Sequence, residues 1–532
     1  MFDSNYALLM ERFPQIALEM PVVEKTEITK ESLAPLKLKG AEALYFYGIG
    51  RGEAYFLSVD WLRAKASRRL IFLEDTLESI SAFLHCEEAA EILQDNQVVL
   101  SRVSEIGNLA ERFPVGSIEI AALPSRKRFK KLKEDLLQKT AFAHAIQLDR
   151  LHGYQPFQNF VRNLRHLPRS FYANKLAGSF SGIPAIICGA GPSLQQAIPH
   201  LRTLENKALL IAGGSTLAAL SSQGINPHFG MAVDPNLEEY RRLKNSFAFE
   251  VPLLFSTRVF PAIFQTANGP FGYMRSGIGG VPEIWMEEEL GLLDPLIGTH
   301  LSSDAISVTS ICLAWAAFLG CNPILLSGVD LAYTSNKRYA PGVAEEALDL
   351  EEECGAADRI VKRKDRNGKP IFTAVRWLME SSAFSHFAKM HPETKFLNTT
   401  EGGIGFKKIP YCPLAEATAG FRELDGSLRS RVQDAINSSP MPANAQAVID
   451  QKMAELKESL ERIVGHLEIC AGARAGSTPL AEMELSEEMA YSYLFYDAKS
   501  VIEKELDPND PSEERWRRFL HLAKQYREVL RD

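Results

Sequence analysis

Nine short apolar runs alternate with segments of helical period, and this alternation sets what the chain can fold into. ALYFYGI, RLIFLE, QVVL and SIEIAAL fall between residues 40 and 123. PAIIC, KALLIAG, HFGMAV, PLLFS and PILLSG fall between 180 and 425. Runs of this length without a polar face read as strands covered on both sides, and helical segments between them carry the crossovers of a parallel sheet. The pattern predicts α/β architecture, with a Rossmann-like N-terminal domain and a second Rossmann-type α/β domain. At 532 residues the chain exceeds a single core. The expected division is 1–165 as an N-terminal Rossmann-like domain with a helical linker, 166–430 as a central domain, and 431–532 as a C-terminal helical domain. The linker is read as helical from about 127 to 178.

Within the central region, helices are expected to begin near Ser193, Ser215 and Ser307, where a serine precedes or opens an apolar-periodic stretch. Gly224 and Gly320 sit where two of these helices should stop, each followed within three residues by an X-Pro step. The tail reads differently. Ile449, Met453, Leu456, Leu460, Ile463, Leu467 and Cys470 alternate 4-3 spacings, which predicts a long helix packing through a coiled-coil-like seam. Gly472 and Gly476, then STPLAEMELSEE, give a stop and a fresh start. A last helix around 511–530 places Trp516, Phe519, Ala523, Tyr526 and Leu530 on one side. A three-helix bundle is expected, serving as a cap, an acceptor platform or the surface of a homo-oligomer.

A formal net charge of −8 argues against a dedicated nucleic-acid binder. The basic run RKRFKK at 126–131 leads into LKEDLLQK and reads as a solvated helix face. No segment approaches the roughly 20 apolar residues that span a bilayer. The first residues carry early acids and no uninterrupted apolar core, so no signal peptide is expected. Seven cysteines without a CxxC pair suit a reducing cytoplasm, which is the expected location.

Two glycine-rich turns follow strands. In YFYGIGRGEAYF, Gly48, Gly50 and Gly52 precede a helix, and Glu74 ends the next strand where an acid could take a ribose hydroxyl. Alone, this resembles the cofactor turn of class I methyltransferases. Tight strand-to-helix turns also need glycine for structural reasons, and nothing downstream adds a methyl-transfer motif, so this domain reads as a support. In AIICGAGPSLQQAI, Pro192 stands near the first helical turn and Ser193 offers a hydroxyl and an N–H to an anion. Ser307 and Thr309 open SVTSICLAWAAFLG, whose N-terminus could take a phosphate or be ordinarily capped.

Four segments in order resemble the bacterial motility accessory factor family of flagellin glycosyltransferases. They are AIICGAGPSL, IAGGSTLAALSSQGINPHFGMAVDP, SVTSICLAWAAFLGCNPILLSGVDLAYT and FLNTTEGGIGF. The same core is shared with a 6-hydroxymethylpterin diphosphokinase family and, more distantly, with bacterial sialyltransferases. The resemblance implies a sialyltransferase-like central domain that binds a nucleotide sugar through Gly189, Gly191, Pro192 and Ser193. It implies further nucleotide contacts at Ser215, Asp234, Ser307, Thr309, Gly328, Thr400, Gly402 and Gly403. Asp330, Tyr333 and Tyr339 are the implied catalytic residues, the two tyrosines similar to a pair that hydrogen-bonds the leaving phosphate.

One departure stands out. The flagellar family commonly has a histidine near the end of the loop that here reads SNKRYA, with Arg338 and Tyr339. No histidine occurs between His300 and His386, and His386 reads as an ordinary helix residue. Either a carboxylate, Asp330 or Glu380, serves as the base, or transfer has been lost. The basic segment VKRKDRNGK at 361–369 either meets an anionic sugar or is a surface loop. The implied activity is metal-independent transfer of a nonulosonic acid from a CMP-activated donor to a hydroxyl of a protein acceptor, flagellin or another surface protein. No cofactor beyond that donor is expected. Two alternatives remain. One is a pterin diphosphokinase needing ATP and magnesium, with Asp234 and Asp330 as ligands. The other is a non-catalytic nucleotide-sugar-binding relative.

Overall fold

The computed structural model describes residues 2–21, 28–110, 112–113, 115–151, 154–244, 250–301, 307–343, 359–472, 479–496, 498–499, 502 and 512–531. The chain forms two compact units, one of residues 1–147 with 348–360 and one of 148–347 with 361–532.

The smaller unit carries four parallel strands, β1 (Ala43–Tyr47), β2 (Arg69–Glu74), β3 (Val98–Arg102) and β4 (Ile118–Ala122), in the order β3-β2-β1-β4. All four come from the apolar runs of the sequence. Leu44, Phe46, Leu70 and Phe72 pack with helix residues such as Leu62, Phe83 and Ile92.

The larger unit is built on eight parallel strands. They are β5 (Phe171–Tyr172), β6 (Ala185–Cys188), β7 (Leu209–Gly213), β8 (Phe229–Ala232), β9 (Leu253–Phe255), β10 (Phe271–Tyr273), β11 (Ile324–Ser327) and β14 (Phe396–Asn398). Their order is β14-β11-β6-β7-β8-β9-β10-β5. A separate two-stranded ribbon joins β12 (Ile360–Lys364) to β13 (Pro370–Ala374).

Alternation along these strands divides the core between two faces. Ala185, Ile187, Leu209, Ile211, Ile324 and Leu326 pack with Trp315 and its neighbours on the helix Val308–Phe318. Ile186, Cys188, Leu210, Ala212 and Leu325 face the other way, toward the helices Leu194–Leu201 and Ser215–Ser221. The helical tail belongs to this second face. Ile449, Leu456, Leu460, Ile463, Leu467 and Cys470, on the helix Ala445–Gly472, are buried in one cluster with Trp516, Phe519, Ala523 and Tyr526 of the helix Ser512–Val529. Met453 and Leu530 pack partly buried at its margin. The stretch between these helices is broken at Glu488, between Pro479–Glu487 and Met489–Leu494, and Glu488 accepts from Ser459 Oγ at 2.7 Å and Arg462 Nε at 2.6 Å. Gly476 lies outside the described residues, as does Cys354.

The helices begin where the serines indicated, yet only Ser307 caps through its side chain, accepting from the Ser310 N–H at 3.1 Å. Gly214 precedes the helix that Ser215 opens. Gly224 and Gly320 take φ of +68° and +80° just past two helix ends, as left-handed caps do. The linker differs from expectation. Helices Phe129–Leu151 and Tyr154–Leu164 are followed by β5, so the helical stretch stops short of 178. Arg126 also departs from the expected solvated face: it turns inward onto Glu74, while Lys127 and Arg128 are exposed. No described helix is long and apolar enough to cross a membrane.

Candidate functional site

The chain runs from β6 outward through β7 to β10 and then crosses back to place β11 on the other side of β6. That reversal puts a switch point at the carboxyl ends of β6 and β11, where open parallel sheets form the crevice that binds ligands. Three loops meet there: the turn after β6 (189–193), the loop after β11 (328–334), and the loop after β14 (399–403).

Asp330, 2% exposed, is their common centre. Its carboxylate accepts from Ser193 Oγ and, at 3.3 Å, from the Ser193 N–H. Its carbonyl accepts from the Ile404 N–H at 3.1 Å. Burial raises the Asp330 pKa, offset by the Ser193 hydrogen bonds. Two glycines make this approach possible. A Cβ on Gly191 would overlap the Asp330 carboxylate, and a Cβ on Gly403, whose φ is +79°, would lie 2.6 Å from the Asp330 carbonyl carbon. Gly402 lies against Asp330 and Thr334, and Thr400 Oγ1 accepts from the Val329 N–H at 3.1 Å.

The donors of Gly189, Gly191 and Ser193 in the GAGPS turn are therefore used within the protein. Gly189 N–H goes to the Ser327 carbonyl and Gly191 N–H to the Gly328 carbonyl, both at 2.8 Å, while Ser193 goes to Asp330. Pro192 has no N–H to offer. A carboxylate of the chain stands where a phosphate was expected at this helix start. The same holds at Ser307, whose hydroxyl donates to Glu380. Thr309 is half-buried in the first turn beside it.

Burial pushes the Glu380 pKa up to about 7, the Ser307 hydrogen bond and Arg376 acting against it. A carboxyl that titrates higher folded than unfolded contributes stability fully present below about 4.5 and lost as pH rises through about 7. Glu380→Gln should therefore flatten the stability profile between pH 5 and 8 by about 2 kcal/mol, read by urea unfolding of the two proteins. Parallel profiles would place the charge change elsewhere.

A second group of side chains borders the crevice. Asp234 follows β8, and burial raises its pKa against the opposing effect of Arg242 and Arg258. Arg242 Nη1 donates to the Tyr339 hydroxyl at 3.0 Å, and the Arg338 guanidinium lies 5.0 Å from the Tyr339 ring centre. The Ala340 N–H donates to the Ala190 carbonyl at 2.8 Å, tying this loop to the turn after β6. Ser215 is buried at the start of its helix. Tyr333 does not stand beside Tyr339 in the same way: it is 4% exposed, packs on Trp377 with ring centres 5.0 Å apart, and hydrogen-bonds the ribbon through its N–H to the Phe372 carbonyl. The ribbon's Arg366 pairs with Glu401 at 2.7 Å and lies 3.5 Å over the Tyr411 ring, so the basic segment at 361–369 is anchored beside the site through that residue. His386 is an exposed helix residue.

Arg242, Arg258 and the seating of Glu380 on Ser307 went unnoticed in the sequence. The only available signal was the run of arginines flanking VDP, and arginines on a helix face are common. Among the described residues no three His, Cys, Asp or Glu side chains converge to hold a metal ion.

The first glycine turn is filled from within. Glu74, expected to face a ribose, is 1% exposed and accepts from the Ile49 N–H at 2.6 Å and from Arg126 at 2.5 Å. The Arg51 N–H donates to Glu53 at 2.9 Å, and Arg126 stacks over Tyr47 at 5.2 Å. Both carboxylate oxygens of Glu74 are engaged within this unit.

Comparison with known proteins bears on the larger unit. Residues 158–336 match the family model described as 6-hydroxymethylpterin diphosphokinase MptE-like, so the relationship indicated by the motifs holds for this central segment. The match takes in the GAGPS turn, Asp234, Asp330 and Tyr333, and ends before Tyr339 and the 399–403 loop. Among solved structures, the chain is similar to the MAf glycosyltransferase from Magnetospirillum magneticum AMB-1, at 15% identity and a TM-score of 0.47, covering 100% of this chain and 94% of that one. No curated protein matches the chain.

Proposed function

We propose that the larger unit is a glycosyltransferase that takes a CMP-activated sugar of the nonulosonic acid class and passes it to a hydroxyl of a protein acceptor. The observation that carries this reading is the convergence of three loops on Asp330 at the β6–β11 switch point, with Tyr339 and Asp234 on its border. The acceptor oxygen bonds the anomeric carbon as the bond from that carbon to the phosphate oxygen breaks. CMP departs with the bonding electrons, and the acceptor proton passes to a carboxylate. Asp330 suits that step, because burial moves its pKa up toward the range where a carboxylate takes a proton effectively. Phenol and guanidinium donors at Tyr339 would stabilise the departing charge without a metal. Asp234, at a strand's carboxyl end, would accept from ribose hydroxyls. Gly189, Gly191, Ser193, Gly328, Thr400, Gly402 and Gly403 hold the Asp330 loop in place, and Tyr333 anchors it to the ribbon.

One observation favours a second reading. The match of residues 158–336 to the MptE-like model supports an ATP-dependent diphosphokinase acting on a pterin alcohol. It would ask Asp234 and Asp330 to serve magnesium.

Thermal titration of the full chain separates the two. The glycosyltransferase reading expects CMP to stabilise the protein in EDTA, by roughly 2.7 kcal/mol at a hundred times its dissociation constant. Stabilisation only by ATP with magnesium would overturn it in favour of the kinase.

A further inference from the structure

Gly189, Gly191 and Ser193 of the GAGPS turn donate to carbonyls and to Asp330, so that turn offers an anionic ligand few donors. The loop after β11 supplies others. Thr334 and Lys337 bridge across a tight turn in which Ser335 and Asn336 take φ of +54° and +58°. The chain then presents Arg338 and Tyr339 and is pinned at Ala340 to the turn after β6. Arg338 is half-buried, its guanidinium lies over the Tyr339 ring, and its Nε is buried without a hydrogen-bond partner. A buried guanidinium N–H left unmatched is costly unless a ligand completes it. Arg242 donates to the Tyr339 hydroxyl, which leaves the phenol proton to point at an acceptor. Arg242 and Arg258 both act on the Asp234 carboxylate, and Arg242 and Arg338 both lie over the Tyr339 ring.

Resting on the nucleotide-sugar reading, we propose that Arg338, stacked on Tyr339 and flanked by Arg242, is the seat of the donor's anionic group. The group is a phosphate of the nucleotide or the carboxylate of an acidic sugar, both of which a planar guanidinium binds through paired N–H donors. The role is one of binding and of stabilising the departing charge.

Binding of cytidine, CMP, CMP-N-acetylneuraminate and inorganic pyrophosphate to the full chain and to its Arg338→Ala and Arg338→Lys variants tests this by calorimetry. A phosphate seat predicts that Arg338→Ala weakens CMP about ten- to a hundredfold and leaves cytidine unchanged, with Arg338→Lys in between. A carboxylate seat predicts that CMP is unaffected and only CMP-N-acetylneuraminate weakens. Equal binding of both nucleotides by wild type and both variants would overturn the seat while leaving the nucleotide-sugar reading intact. If the wild type binds no cytidine nucleotide, that reading falls. Arg338-dependent binding of pyrophosphate would then still support the seat, and its absence would overturn that too.

Discussion

Replacing Gly403 with alanine is expected to cost the larger unit at least about 3 kcal/mol. Two penalties add. At φ +79° an alanine enters the left-handed region at roughly 1–2 kcal/mol. Its Cβ would also overlap the backbone of Asp330, lying 2.6 Å from both the carbonyl carbon and Cα, and backbone cannot swing aside as a side-chain tip can. Gly405 is the control. It has φ +69°, but a Cβ there would meet only Asn398 Nδ2, at 4.0 Å. Gly405→Ala should therefore show the conformational cost alone, about 1 kcal/mol. Urea unfolding of both variants reads the difference. Equal losses would mean that the 399–403 loop does not lean on Asp330 as described.

The second large effect is expected in the smaller unit. Arg126→Ala leaves the Glu74 carboxylate, 1% exposed, with one backbone N–H and no countercharge. Removing one partner of a buried pair typically costs 3–5 kcal/mol, and about 3 kcal/mol is expected here near neutral pH. The sign with pH follows. Burial already raises the Glu74 pKa with Arg126 opposing it, so losing Arg126 raises it further. The variant's deficit should shrink as pH falls and the carboxyl takes up its proton. Glu74→Gln in the Arg126→Ala background should recover most of the loss at neutral pH. A deficit that is the same at pH 5 and pH 8 would show that Arg126 acts through packing on Tyr47 and not through its charge.

These two positions also mark what the sequence could and could not convey. Nine strands were legible because a strand covered by helices is largely apolar, and β1 to β4, β6 to β9 and β11 all come from such runs. β9 is as short as β10 and β14 but stands in the longer apolar run PLLFS, whereas β5, β10 and β14 lie in no such run; these three extend the sheet at its two edges. The tail helix was legible from its 4-3 spacing, because that spacing places one stripe against one partner.

At the site, the three glycine-bearing motifs were recognisable, and the fold brings them together. Hidden from the sequence was which carboxylate answers which hydroxyl. Ser193 finds Asp330 across 137 positions, Ser307 finds Glu380 across 73, and Glu74 finds Arg126 across 52. Local pattern carries no record of such partners. A turn already answered by its own chain reads the same as one waiting for a phosphate.

Hydrogen exchange of the full chain with and without saturating CMP, in EDTA, tests most directly the proposal of a nucleotide site at the β6–β11 switch point. A nucleotide seated there predicts slowed exchange in three segments, 189–194, 328–340 and 399–404, with the turn at 48–52 unchanged. Slowed exchange at 48–52, or protection of the three loops only by ATP with magnesium, would contradict it.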